Sequence, residues 1–246
     1  MAGSALVVGG SRGIGLAIAR RLAAGGDTVA VLARSAPPPD AGLLHIEADL
    51  EDEGAVDRAI DACLKNPGTP ATVVFAQRAR RSADQWAGEV RVSLSATRQV
   101  IERLAAPMAA AGGGAIAIVG SVADRLVAEE QPVGYHVAKA GLAQMVRYYG
   151  VTLGPRGIRV NGVVPGSVLK PAQSGQAHAG QAPPTPHPAP HPDASIIPLR
   201  RVPTPDDIAN VVAFLCSPQA ACVTGQQLMV DSGLSLLWQS SLVSRL

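Results

Sequence analysis

The sequence predicts an α/β fold: a single doubly wound domain with a parallel sheet flanked by helices on both faces. Three observations carry this expectation. Short apolar runs alternate with segments of helical periodicity along the chain, the order that a parallel sheet with crossover helices requires. The strand-like runs lack polar alternation, as strands buried on both sides do. The first run ends in glycine and opens directly into a helix.

Each element follows from its own residues. Ala5–Val8 is a short apolar strand, and Ile14–Ala24 has the spacing of an amphipathic helix. Thr28–Leu32 and Leu43–Ile46 read as the second and third strands, Val56–Leu64 as a helix, and Thr72–Phe75 as the fourth strand. A long helical stretch over Val90–Met108 precedes a fifth strand at Ala115–Val119. A helix over Val133–Leu153 leads to a sixth strand at Ile158–Val164. In Ile208–Leu215 the apolar residues Ile208, Val211, Val212 and Leu215 share a face, with Thr204 as the expected N-cap and Pro205 in the first turn. Gln227–Val230 reads as the last strand.

Between about 170 and 198 the pattern breaks into a tract rich in Pro, Gly, Ala, Gln and His. Proline removes backbone donors and opposes helix, so a long loop on the substrate side is expected there. His178, His187 and His191 lie in this tract. A Pro-rich tract gives them no fixed ligand geometry, and no metal is expected. With no internal repeat, residues 1–246 read as one domain.

Composition narrows the function. The chain has 246 residues, 47% of them hydrophobic and 16% charged, enough for one α/β domain with a large core. Aromatic residues make up only 3%, so Ala, Val, Leu and Ile must fill that core. A net charge of +2, without a long Lys/Arg block, argues against nucleic acid. No apolar run is long enough to cross a bilayer, and the N-terminus reads as a first strand rather than a signal peptide. Cys63, Cys216 and Cys222 have no CxxC spacing, which fits a reducing cytoplasm.

Two constellations carry chemistry. Gly9-Gly10-Ser11-Arg12-Gly13-Ile14-Gly15 follows a strand and opens a helix. Glycines there let the backbone turn tightly against a pyrophosphate, and a helix N-terminus favours negative charge. The second strand ends in Ala33-Arg34-Ser35, with no acidic residue to take adenosine ribose hydroxyls. Arg34 and Arg12 are therefore expected to bracket a 2′-phosphate, selecting NADP over NAD. Asp49, after the third strand, is placed to meet the adenine, with Leu50 beside it. The second constellation is Tyr135-His136-Val137-Ala138-Lys139, with Ser121 upstream. Residues four apart share a helix face. An ammonium favours the ionised form of a neighbouring phenol, so such a Tyr is suited to general acid/base work.

These residues resemble the short-chain dehydrogenase/reductase family, in its compact branch related to 3-oxoacyl-carrier-protein reductases. The resemblance also rests on Ile158-Arg159-Val160-Asn161, Pro165-Gly166, Thr224-Gly225-Gln226 and Asp231-Ser232-Gly233, and covers almost the whole chain. It implies a Rossmann-type fold with a seven-stranded parallel sheet, a cytoplasmic enzyme, and a homotetramer or homodimer. It implies Tyr135 as acid/base, Lys139 as the residue that tunes it and holds the nicotinamide ribose, and Ser121 as hydrogen-bond partner of the substrate oxygen. It places Ala76 and Gln77 against the cofactor NADP(H), and Pro165, Gly166 and Val168 beside the nicotinamide. The function implied is reduction of a small-molecule carbonyl to an alcohol on a biosynthetic intermediate.

The chain departs from the family pattern in three places. Phe75-Ala76-Gln77-Arg78 stands where Asn-Asn-Ala-Gly is usual, with Arg80 and Arg81 adding charge nearby. An anionic substrate or the cofactor phosphates are partners considered for these arginines, against a solvated basic loop. Ser93 stands where an Asn usually holds a water behind Lys139, and Lys170 where a Thr is frequent. Two alternatives stay open: an alcohol dehydrogenase running in the oxidative direction, and a catalytically weak NADP-binding sensor or scaffold.

Overall fold

The computed structural model describes residues 3–79, 82–169 and 196–237. Strands β1 (Ser4–Val8), β2 (Thr28–Ala33), β3 (Leu44–Glu47), β4 (Thr72–Phe75), β5 (Gly114–Val119), β6 (Ile158–Pro165) and β7 (Gln227–Val230) form one seven-stranded sheet. Every pairing is parallel, in the order β3-β2-β1-β4-β5-β6-β7. Chain direction across the sheet reverses between β1 and β4, and Val8 at the end of β1 pairs with both Leu32 and Phe75. A crevice outside the carboxyl ends of the strands opens at such a switch point.

Helices cover both faces: α1 (Gly13–Ala24), α2 (Glu53–Lys65), α3 (Gln85–Gly88), α4 (Ala96–Ala110), α5 (Val133–Thr152) and α6 (Pro205–Cys216). On one face Ile18 and Leu22 of α1 join Ile208, Val212 and Leu215 of α6 against Val7, Val31 and Val74. On the other, α2, α4 and α5 bring Ile60, Ile101, Leu104 and Leu142 against Leu6, Leu32, Phe75 and Ile118. A chain so poor in aromatics builds its core from branched aliphatics, as its composition requires.

Thr204 caps α6 as expected, in a full capping box: its hydroxyl accepts from Asp207 N, and the Asp207 carboxylate accepts from Thr204 N at 2.8 Å. The Ile158–Asn161 segment has a structural use. The Arg159 guanidinium donates to the Leu215 carbonyl at 2.7 Å and the Ser217 carbonyl at 3.1 Å, satisfying backbone groups at the end of α6. Asn161 bridges Val223 O and Gln226 N, and the Thr224 hydroxyl accepts from Val160 N. Cys63, Cys216 and Cys222 are free thiols.

The expected continuous helix over Val90–Met108 is corrected by the structure. Glu89–Ser95 forms a π-helix between α3 and α4. The Gln77 side chain reaches into this segment from the loop after β4. Its amide nitrogen donates to the Val92 carbonyl at 3.3 Å and to Thr97 Oγ1 at 2.7 Å. A side chain inserted into the backbone ladder is a recognised way to widen a helical turn.

Candidate active site

A cleft of about 820 Å³ opens along the carboxyl edge of the sheet. Gly9, Ser11, Arg12, Gly13, Ile14 and Gly15 form its floor at one end, with Arg34, Asp49 and Leu50 at that rim. Ala76, Gln77 and Arg78 lie midway, while Ser121, Tyr135, Lys139, Pro165, Gly166 and Val168 line the other end. The structure therefore gathers the proposed site residues into one cleft, except Ser93. Ser93 is fully buried behind the cleft, and its hydroxyl donates to Glu89 Oε2 at 2.7 Å. Arg80, Arg81, Lys170, the Pro-rich tract and its histidines fall outside the described residues or reach beyond them.

At the nucleotide end the backbone fits a dinucleotide. A Cβ on Gly15 would come within 2.2 Å of the Gly9 carbonyl oxygen, and one on Gly9 within 2.7 Å of Gln77 N. Only glycine permits this packing of turn, helix and neighbouring loop. Arg12 at the N-cap of α1 provides no side-chain cap, which leaves the first-turn N–H groups to an anionic guest. Arg12 and Arg34 are exposed, and Arg34 Nη1 lies 3.8 Å from the Asp49 carboxylate. An exposed pair of this kind is weak, so Arg34 is available to a phosphate.

The other end is built on β5 and α5. Ser121 follows β5, and its Oγ accepts from Ala123 N at 3.2 Å, leaving its own proton for another acceptor. Pro132 starts α5, and Tyr135 N donates to its carbonyl. His136 pins the preceding loop: its Nε2 accepts from Ala128 N at 3.0 Å, which assigns the proton to Nδ1, 3.1 Å from the Pro132 carbonyl. One turn on, Lys139 is buried and donates to the Val119 carbonyl at 3.0 Å, with its ammonium 5.5 Å from the Tyr135 ring centre. Burial pushes Lys139 down to about 8; Glu89 opposes that shift and Arg78 adds to it.

The loop after β4, whose path the sequence left open, turns both polar side chains inward. Gln77 braces the π-helix. The Arg78 guanidinium stacks 4.3 Å above the Tyr135 ring, bonds to Gln131, and lies 3.9 Å from the Glu89 carboxylate. Glu89 is only 2% exposed. Sequence reasoning passed over it, although Glu89 and Ser93 stand four apart, a spacing that marks side chains able to meet.

Comparison with known proteins agrees with this geometry. The family model described as enoyl-(acyl carrier protein) reductase matches residues 8–235. A 3-oxoacyl-acyl-carrier-protein reductase of Mycobacterium avium is 32% identical over 244 residues, covering 95% of this chain and 90% of the relative. A cis-4-hydroxycyclohexanecarboxylate dehydrogenase of Sinomonas cyclohexanicum is 30% identical, covering 93% and 95%. The solved structure of the TT0495 protein of Thermus thermophilus superposes with a TM-score of 0.77 at 31% identity, over 95% of this chain and 99% of that one. With the family match spanning most of its length, the chain belongs to the short-chain dehydrogenase/reductase family of NAD(P)-dependent oxidoreductases.

Proposed function

We propose that this chain is an NADPH-dependent carbonyl reductase that acts on a keto intermediate of biosynthesis. The observation that carries the reading is the meeting, in one cleft, of the glycine turn and Arg34 with Ser121, Tyr135 and Lys139. The relatives include reductases of 3-oxoacyl carrier-protein substrates and a ketoacyl reductase of polyketide synthesis, which supports a keto substrate.

Arg12 and Arg34 hold the 2′-phosphate, Asp49 and Leu50 border the adenine, and the uncapped start of α1 takes the pyrophosphate. The nicotinamide, when bound, supplies the hydride. Ser121 donates a hydrogen bond to the substrate carbonyl oxygen, stabilising the negative charge that grows there. Tyr135 delivers the proton to that oxygen. Lys139 holds the nicotinamide ribose and keeps positive charge beside the phenol. Pro165, Gly166 and Val168 border the nicotinamide. A homo-oligomer is part of this reading, because Val133, Val137, Tyr148 and Val151 leave an apolar surface exposed on α5.

Fluorescence titration of the purified protein with NADPH and NADH tests the cofactor assignment. Tight NADPH with weak NADH is expected, followed by NADPH consumption on a panel of β-ketoesters and ketoacyl thioesters. Binding of neither nucleotide would overturn the reading.

A further inference from the structure

We propose that Arg78 is a positioning residue of the proton-delivering site: its guanidinium, stacked on the Tyr135 ring and tied to Gln131, fixes the direction in which the phenol points. The proposal rests on the reading that Tyr135 is the proton donor.

Tyr135 stands in the first turn of α5, and its side chain is held by its ring. Arg78 Cζ lies 4.3 Å from the ring centre, the His136 ring meets it edge-on at 6.2 Å, and the Lys139 ammonium lies 5.5 Å away. His136 and Lys139 belong to α5 and move with it. Arg78 comes from the loop after β4, so its contact is the one of these three that sets the ring against another part of the cleft wall. A planar cation over a ring face is attracted to it and lies flat on it.

The guanidinium is itself fixed. Its neighbour Gln77 anchors the loop, donating to the Val92 carbonyl and to Thr97 Oγ1. Arg78 bonds to Gln131 in the turn that leads into α5, and lies 3.9 Å from Glu89, whose carboxylate accepts from the Ser93 hydroxyl. That 3.9 Å is too long for a hydrogen bond, and Arg78 Nε is buried without a partner. A buried unpaired donor opposes folding. A guanidinium arranged for hydrogen bonding alone would turn onto Glu89; this one stays on the ring. It therefore joins three segments, the loop after β4, the turn before α5 and the buried Glu89, at the face of one phenol. Small displacements of a reacting group cost rate without costing binding.

The test separates aiming from binding. Arg78→Met removes the flat cation and is expected to lower kcat about tenfold, while substrate KM and the NADPH dissociation constant change by less than about twofold. In a Tyr135→Phe background the same substitution is expected to cost nothing further, because no phenol is left to aim. A second readout needs no turnover. The tyrosines of the chain are Tyr135, Tyr148 and Tyr149, so 13C-tyrosine labelling gives a sparse aromatic NMR spectrum, with Tyr135 assigned by Tyr135→Phe. Arg78→Met is expected to lower the order of the Tyr135 ring in relaxation measurements and to leave Tyr148 and Tyr149 as they were. Gln131→Ala, which touches no charge, is expected to act in the same direction and less strongly. Should Arg78→Met fail to fold by stranding the Glu89 carboxylate, the double variant with Glu89→Gln, compared with Glu89→Gln alone, reads the same change. An unaltered ring order, or an equal loss of rate in the Tyr135→Phe background, would overturn the proposal. So would a raised KM or NADPH dissociation constant at unchanged kcat, which would make Arg78 a ligand contact. A loosened Tyr135 ring in a protein with no carbonyl turnover would instead sink the reductase reading and leave the positioning of Tyr135 by Arg78 standing.

Discussion

At the nucleotide end of the cleft the charged groups, Arg12, Arg34 and Asp49, stand in solvent, whereas at the proton end Glu89 and Lys139 are closed away from it. The exposed set carries little mutual energy and is screened by salt. It suits recognition, since it yields readily to an incoming phosphate. The buried set interacts in a poorer dielectric, where each charge alters the state of the next. It suits catalysis, which needs a fixed protonation pattern. One edge of one sheet thus carries exposed, loosely held charges at one end and closely packed, buried ones at the other.

The largest effect that separates the two ends is expected at Tyr135. Tyr135→Phe should cut kcat by about 10³-fold, within the range for a lost general acid, while the NADPH dissociation constant changes little. Steady-state kinetics beside fluorescence titration would check this; a large loss of cofactor affinity would break the division. At the exposed end, Arg34→Ala should weaken NADPH about tenfold or more and leave NADH nearly unchanged, as loss of a charge-assisted contact predicts. NADPH affinity should also fall as salt rises, measured in the same titration.

A smaller effect is expected away from the cleft, where a half-buried pair lies between these extremes. Arg201 and Thr204 hold the Asp207 carboxyl down to about 2. Because the folded value is depressed, the stabilisation is present above the ordinary carboxylate range and is lost as pH falls through about 2. Asp207→Asn should cost about 1–2 kcal/mol at neutral pH, discounted for partial exposure, and almost nothing near pH 2. Urea unfolding of both proteins across that range would show whether the gap closes.

Much of the fold was legible because its signals are local. Apolar runs such as Thr72–Phe75 matched the observed strand, and Thr204 with Pro205 marked the start of α6. Apart from Ser93, the residues named for the cofactor and for acid/base work line the cleft, because a glycine turn after a strand and a Tyr–Lys pair on a helix carry their geometry with them. The proton end was less legible. An apolar spacing fits an α-helix and a π-helix alike over so few residues, so the stretch from Val90 to Ser95 read as plain helix. Glutamate on a helix usually faces water, and nothing adjacent in sequence shows Arg78 and Ser93 meeting Glu89 in the interior. The Pro-rich tract gave no reading beyond a loop, because periodicity carries no constraint there.

The widened turn at Glu89–Ser95 also makes chain length a functional variable. Such a turn takes up an extra residue that a regular α-helix, advancing about 100° per residue, could absorb only by rotating everything beyond it. Deleting one residue between Glu89 and Ser93 would let the turn close to an α-helical one and change the spacing of that pair, while Trp86 would stay against Gly134, whose Cα is close enough that an added Cβ would lie 3.2 Å from the Trp86 backbone. A single-residue deletion would therefore rearrange the side chains inside the turn and spare the packing on either side of it.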